Sequence, residues 1–197
     1  GDVYKRQAFD TGPGNTLLDV AADMASGGAL THDADGALAR AGTVDAGLLA
    51  RLMEDPFFRR PPPRSTGRER FGPAMVAELA RERGLEAGRP EGWPDLLATL
   101  SALTVESVAR AYRTWVIPLG VEAVVVTGGG ARNPVLVEGL RNALAPLPVR
   151  TGAVALGMDP DAREAAAFAL LAWAFLQGVP GNVPSCTGAR GPRVLGS

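Results

Sequence analysis

A run of valines followed by three glycines places the strongest constraint on the fold. Residues 121–126 end in three β-branched side chains without polar alternation, which is typical of a strand covered on both faces. Residues 128–130 are all glycine, and Asn133 with Pro134 supplies the residue types that begin a helix. A buried strand, a glycine turn and a helix in direct succession predict a layered α/β fold.

The glycine turn also predicts a ligand site. A turn of this kind directs backbone amides, and the positive end of the following helix dipole, towards whatever lies above the edge of the sheet. A nucleotide suits that position, although tight packing of strand against helix also requires glycine there. The segment GGGARNP matches neither a P-loop nor a dinucleotide fingerprint, since it lacks both spacings.

A second glycine-containing loop, near the start of the chain, carries a carboxylate. Asp10 is followed by Gly12, Pro13 and Gly14. The glycines let a bulky anion approach the main chain, and the proline stiffens the loop between them. The loop therefore predicts a site where phosphate binds and reacts. Asp10 would be a general base, a carboxylate associated with magnesium, or a residue that forms an Asx-turn with its own loop backbone.

The overall composition narrows the class of partner. With 20 basic and 21 acidic side chains, the chain of 197 residues has no broad attraction for nucleic acid or anionic membranes. Cys186 and His32 are single residues of their types, which excludes a disulfide framework and a zinc cluster and fits a cytoplasmic setting. The apolar run 165–176 is shorter than the roughly 20 residues that cross a bilayer, so it predicts a buried helix. We therefore expect small-molecule or protein partners, without nucleic acid or membrane.

Apolar periodicity and helix-ending residues predict a mainly helical chain with few strands. A further short strand is expected at residues 149–154, and the tail from Pro180 is expected to be irregular. The predicted helices cover residues 17–25, 44–53, 73–82, 95–115 and 134–144, and a last one, capped by residues 159–161, continues through Glu164 to Gln177.

Four motifs, in this order, strongly resemble those of the 1,6-anhydro-N-acetylmuramic acid kinase family. They are FDTGPGN (residues 9–15), PPPRSTGRE (61–69), GGGARNP (128–134) and PSCTGAR (184–190). The resemblance implies a helix-rich α/β lobe of the sugar-kinase, heat-shock ATPase and actin architecture, which is ribonuclease H-like with a mixed central sheet. Residues 9–197 would then be the second, C-terminal ATPase-like lobe without the first, and residues 1–8 a truncated or non-native lead-in that replaces a strand.

The resemblance also implies roles for individual residues. Asp10 would be the catalytic base, and Glu164 would lie near the sugar. The cofactors would be ATP and Mg²⁺, with no dedicated protein metal site, and the protein would be a homodimer. The phosphate-binding residues would be Thr11, Gly12, Gly14 and Asn15, and the nucleotide-binding residues Gly128, Gly129, Gly130, Arg132 and Asn133.

The implied reaction transfers phosphate from ATP to O6 of the anhydro sugar while water, deprotonated by Asp10, opens the anhydro bridge at C1. We expect the isolated lobe to be inactive. One alternative is a non-catalytic lobe that binds nucleotide or dimerises. Another follows from the Phe-Asp-Thr-Gly sequence, which also resembles the aspartic-protease signature, although those proteins are almost wholly β.

Arg64 stands where the family would have lysine, and from the residues alone it either binds an anion or lies in a solvated loop.

Overall fold

The computed structural model describes residues 8–157, 162–187 and 189–196, apart from the side chains of residues 156, 163 and 187. Within these residues the chain is rich in helix, and its strands are short. The helices are α1 (Thr16–Ala25), α2 (Ala37–Ala41), α3 (Ala46–Leu52), α4 (Pro73–Glu82), α5 (Trp93–Ala111), α6 (Pro134–Leu144), α7 (Gly152–Leu156), α8 (Ala162–Leu176) and α9 (Pro184–Thr187), and the strands are β1 (Val124–Val126) and β2 (Val149–Thr151). The prediction of a helix-rich α/β chain is confirmed.

Helix α5 forms the centre of the larger hydrophobic core. It begins after Gly92, whose φ of 77° favours glycine, and Pro94 lies in its first turn, where the missing amide costs nothing. Trp93, Leu96 and Leu100 are fully buried on it. Helices α1, α2 and α3 pack around α5, so the loops that join them are held at its surface.

The predicted helix at residues 95–115 is confirmed over most of its length. Its last turn, Tyr112–Val116, is a π-helix, in which each amide bonds one residue further back than in an α-helix. The helix predicted at residues 73–82 is confirmed as α4, which has the same bounds. Pro73 specifies its start, because proline suits the first helical position.

A cluster of three phenylalanines completes this core beside residues 9–15, which we call the opening loop. Phe57, Phe58 and Phe71 are all buried, and their ring centroids lie 5.5 to 5.7 Å apart. Two of the ring pairs meet edge to face and one is stacked, which are the arrangements that aromatic quadrupoles favour. The segment that connects Phe58 to Phe71 is thereby held against the core at both ends.

Among the described residues the sheet has two parallel strands, and both are shorter than the sequence predicted. Val124 pairs with Val149, and Val126 pairs with Thr151. One face packs on α6 and on Ala109 of α5 in a second, smaller core. Val125, on the other face, is 41% exposed, so the prediction of a strand covered on both faces is wrong. The described residues place no element over that face.

The predicted mixed central sheet does not occur among the described residues, which pair only in parallel. The second predicted strand also ends early, because the ladder stops where β1 stops, at the Val126–Thr151 pair, and α7 begins at Gly152. The lead-in that is expected to replace a strand before Phe9 falls mostly on residues 1–7, and the cap expected at residues 159–161 falls within 158–161. Both ranges lie outside the described residues.

Helix α6 starts as predicted. The Asn133 side chain accepts a hydrogen bond from the Val135 amide at 3.0 Å, and Pro134 is the first helical residue. All three leucines of its amphipathic stripe are buried: Leu140 and Leu144 pack in the smaller core with the sheet and α5, and Leu136 packs in the larger core.

Helix α8 contradicts its prediction. The apolar run 165–176 is helical, but it is not buried, since Phe168 is 71% exposed and Leu176 is 77% exposed. Composition alone predicted burial, whereas the described residues bring no other large element against this helix. None of the described helices is both long enough and apolar enough to span a bilayer.

Candidate functional site

Asp10 is held by residues 64–66 of the loop that follows the polyproline segment. Its Oδ2 accepts hydrogen bonds from Ser65 Oγ and from the Thr66 amide, each at 2.8 Å. Its own amide donates to the Arg64 carbonyl at 3.0 Å. These contacts orient the carboxylate through one oxygen, and the described residues give the other oxygen, Oδ1, no hydrogen bond.

Arg64 fastens this loop to the opening loop from inside. The residue is 5% exposed, and its guanidinium donates to three carbonyl oxygens: Asp10 at 2.8 Å, Phe57 at 3.0 Å and Arg60 at 2.7 Å. It also lies over the Phe57 ring, 4.8 Å from the centroid. Burial lowers the pKa of Arg64, Arg60 adds to that effect, and Asp10 opposes it. Both readings of Arg64 are therefore wrong, since its donors serve carbonyls inside the protein rather than an anion or solvent.

The opening loop rests directly on helix α5. A Cβ on Gly12 would lie 2.4 Å from Ser107 Oγ, so only glycine allows this approach. The Thr104 hydroxyl donates to the Gly14 carbonyl at 2.8 Å. Gly14 has a φ of 58° and open space around its Cα. Gly12 is therefore required by close packing, and Gly14 is favoured by its backbone conformation.

The second glycine turn is held by its own backbone. Gly128 has φ 75° and ψ −169°, a conformation that is essentially restricted to glycine. Gly129–Arg132 then forms a 3₁₀ turn, which ends at the buried cap residue Asn133. The first amides of α6 and of this turn consequently lie at the carboxyl end of β1, as expected for an anion site.

The two glycine loops meet, although more than a hundred residues separate them in the chain. A Cβ on Gly129 would lie 3.4 Å from Asn15 Nδ2, and a Cβ on Gly130 would lie 3.4 Å from Asn15 Oδ1. Beside this contact is a cavity of about 480 Å³, a size that accepts a small-molecule ligand. It is lined by Asn15, Leu18, Asp19, Thr31, His32, Asp33, Ala34, Asp35, Gly129, Arg132 and Asn133.

The loop at residues 31–36 is the part of the cavity that sequence reasoning missed. His32 and Thr31 lie 3.1 Å apart through Nδ1 and Oγ1. Asp33 is buried and committed to capping α2, because its two oxygens accept from the Leu38 and Ala39 amides. No motif marks this polar segment, and only its packing against the start of α6 brings it to the cavity.

Asp19 is the cavity residue with a perturbed acidity. Partial burial raises the pKa of the Asp19 carboxyl, and His32 and Arg68 oppose that rise. A half-buried carboxylate of this kind gains from a cation or a hydrogen-bond donor brought by a ligand.

The predicted site residues divide into three groups. Four of them line the cavity: Asn15, Gly129, Arg132 and Asn133. Asp10, Thr11, Gly12, Gly14, Gly128 and Gly130 belong to the two loops but do not line the cavity. Glu164 lies in the first turn of α8, and it is not among the cavity residues either. The structure thus brings the two loops together.

A protein-held metal cluster is absent from the described residues, where no three His, Cys, Asp or Glu side chains are arranged to bind one ion. Mg²⁺ does not require such a cluster, because it usually keeps several waters and binds through one or two carboxylates together with substrate phosphates.

Comparison with known proteins agrees with the four motifs. The family model described as anhydro-N-acetylmuramic acid kinase matches residues 4–197. Curated relatives with that name include one from Streptomyces coelicolor, 47% identical over 96% of this chain, and one from Gloeobacter violaceus, 49% identical over 92%. One from Burkholderia cenocepacia is 47% identical over the whole chain. The chain spans 46% to 49% of the length of these relatives. Because the family model covers nearly every residue, the chain belongs to the anhydro-N-acetylmuramic acid kinase family.

Proposed function

We propose that this chain supplies the nucleotide site and the catalytic base of an ATP-dependent kinase that converts 1,6-anhydro-N-acetylmuramic acid to N-acetylmuramic acid 6-phosphate. The observation that carries this proposal is the contact of Asn15 with the Gly129–Gly130 turn at the edge of the cavity. Two anion-binding loops that share one cavity suit a ligand with several phosphates.

The cavity offers complementary groups for a magnesium nucleotide. The turn presents the amides of Gly129 and Gly130, and α6 adds the positive end of its dipole; both stabilise phosphate. The Arg132 side chain adds a cationic group to the lining. Asp19 would hold the Mg²⁺ that accompanies ATP, and the ion would neutralise charge on the phosphates.

Asp10 is the proposed general base. With Oδ2 held by Ser65 and Thr66, Oδ1 remains to accept the proton of a water molecule. The water oxygen bonds to C1 of the sugar, the C1–O6 bond breaks, and O6 takes the γ-phosphoryl group of ATP, which leaves as ADP. Atoms and charge balance with one proton on Asp10, which is later released to solvent.

The cytoplasmic setting, the homodimer and the sugar contact of Glu164 are further parts of the proposal. Glu164 does not line the cavity, so the sugar that it contacts would lie outside the cavity. The half length relative to the curated proteins favours a second candidate for the isolated chain: a lobe that binds nucleotide without turnover. The helix-rich fold favours either reading over an aspartic protease.

Nucleotide binding is tested first on the chain itself by calorimetric titration with Mg-ATP. We expect Gly129→Leu to abolish binding, because the new side chain would enter the cavity beside Asn15. Gly47→Leu is the matched control, since Gly47 is exposed in α3, its Cβ would likewise first meet an atom at 3.4 Å, and it lies away from the cavity. Equal binding by both variants would contradict the proposed nucleotide site.

Catalysis is tested in a chimera in which this chain replaces the matched section of the Streptomyces coelicolor relative. An ADP-release assay with the anhydro sugar should show turnover. Asp10→Asn should reduce kcat by about 10² to 10⁴ while Mg-ATP affinity stays within about twofold, because general-base catalysis typically contributes that factor. Turnover at the unsubstituted rate in the Asn variant would refute the role of Asp10.

A further inference from the structure

Helix α8 carries an unusually apolar exposed surface. We call it the α8 surface, and it consists of Phe168, Leu170, Trp173, Phe175 and Leu176. Their exposed fractions are 71%, 64%, 54%, 42% and 77%. Single exposed apolar residues are ordinary, but five on one helix form a contiguous patch of the kind that marks an interaction site.

The α8 surface extends around more than half of the helix. At about 100° per residue, Phe168 and Leu170 point to nearly opposite sides. A groove of about 510 Å³ runs along one side, lined by Phe168, Leu171, Ala172, Phe175, Leu176, Leu195 and Gly196. Ala174 is 7% exposed and marks the narrow side that packs on the chain itself. A helix that is apolar nearly all round is typical of a buried position.

The chemistry of the helix excludes two occupants. A helix that lies on a membrane has a polar face rich in Lys and Arg, whereas α8 carries a single basic residue, at position 163 in its first turn, and its opposite side bears Leu170 and Trp173. A second copy related by a two-fold axis would cover one patch of the helix, because an isologous interface pairs the same patch on both chains. It would leave the other side of α8 in water.

The curated relatives indicate what covers α8. They are about twice the length of the matched region, so each contains a further stretch comparable in size to this chain. A stretch of that size is large enough to form a standard interface, which buries roughly 800 Å² per partner.

We propose that the α8 surface is the docking surface for the complementary half found in the full-length relatives, and that α8 is buried between the two halves of the complete protein. The proposal concerns packing only. It therefore stands or falls independently of nucleotide binding and turnover.

Hydroxyl-radical footprinting tests this, with oxidation of individual residues read by mass spectrometry. Phe168 and Trp173 should be oxidised readily in the isolated chain and at least about fivefold more slowly in the chimera with the Streptomyces coelicolor relative, because a buried interface core is desolvated. Leu119, 55% exposed and remote in sequence from α8, should react equally in both.

A pair of substitutions gives a second readout. Phe168→Ser with Leu176→Ser should lower the Tm of the chimera by several degrees more than that of the isolated chain, whereas Leu119→Ser should change both alike. Unchanged oxidation of Phe168 and Trp173 in the chimera would overturn the proposal. Protection that instead rises with the concentration of the isolated chain would assign the surface to a second copy, and would also overturn it.

Discussion

The two glycine loops at the cavity are stabilised in different ways. The opening loop depends on side chains from distant parts of the chain, namely Arg64, Ser65 and Thr104. The turn after β1 depends on the backbone of Gly128 and on the cap formed by Asn133. Substitutions at many distant positions should therefore destabilise the opening loop, whereas only a few substitutions near Gly128 and Asn133 should destabilise the turn after β1.

The largest effect should come from Arg64→Ala. Its loss removes the donor to the carbonyls of Asp10 and Arg60 and leaves the Phe57 carbonyl with only the Arg60 amide, which should lower the free energy of unfolding by about 3 kcal/mol. Urea denaturation measures this. Arg68→Ala, at an exposed position of the same loop, is the control and should cost under about 0.5 kcal/mol. Similar losses in both variants would show that the buried guanidinium does not support the loop.

The next largest effects should come from replacing one glycine in each loop, and they should differ between the two loops. Gly128→Ala forces alanine into a conformation restricted to glycine, at a cost of about 1–3 kcal/mol, and should weaken Mg-ATP binding. Gly14→Ala has open space and should cost about 1 kcal/mol. Thermal unfolding and calorimetry of both variants check this order. A larger loss for Gly14→Ala would reverse the comparison.

Ser65→Ala should act on turnover rather than on binding. Removing a hydroxyl that donates to a carboxylate costs roughly 1.5 kcal/mol, which corresponds to about tenfold in kcat if Asp10 must be oriented. KM should change little, and Ser65→Thr should restore most of the rate because it keeps the hydroxyl. A kcat for Ser65→Ala equal to that of the unsubstituted chimera would remove Ser65 from this role.

The smallest effect should appear at Asp19. Because burial raises the pKa of this carboxyl in the folded state, ionisation opposes folding, and its stability contribution is lost as pH rises through the folded pKa. Asp19→Asn should thus stabilise the free chain near neutral pH, with the gain shrinking towards about pH 4, near the ordinary pKa of Asp. Mg-ATP should stabilise the variant less than the parent chain.

Urea titrations at several pH values measure the effect at Asp19. Asp23→Asn, at an exposed position on the same helix, is the matched control. A gain that is independent of pH would mean that the carboxylate is not what opposes folding.

Local signals made much of this fold predictable. Pro73 and the Asn133–Pro134 pair specify helix starts through their own backbone chemistry, and both starts are confirmed. The positions of the glycine loops also follow from local residue types. The hydrogen bonds from Arg64 to the opening loop could not be predicted in this way, because they join residues more than fifty positions apart. The cavity wall at His32 is a tertiary feature of the same kind, since no local pattern announces it. The prediction that α8 is buried was wrong for a related reason. An apolar composition indicates that a surface packs against another element, but it does not show that this element lies within the same stretch of chain.

The close approach of Gly12 to Ser107 makes these two positions a matched pair. With Ser107 Cβ only 2.9 Å from where a methyl group on Gly12 would lie, the space between loop and helix holds one small side chain and no more. Sequence change at this joint must therefore be compensatory. Glycine at position 107 would remove the nearest obstacle to alanine at position 12, and the Phe58 ring, 3.2 Å from the added methyl group, would then have to shift by a few tenths of an ångström.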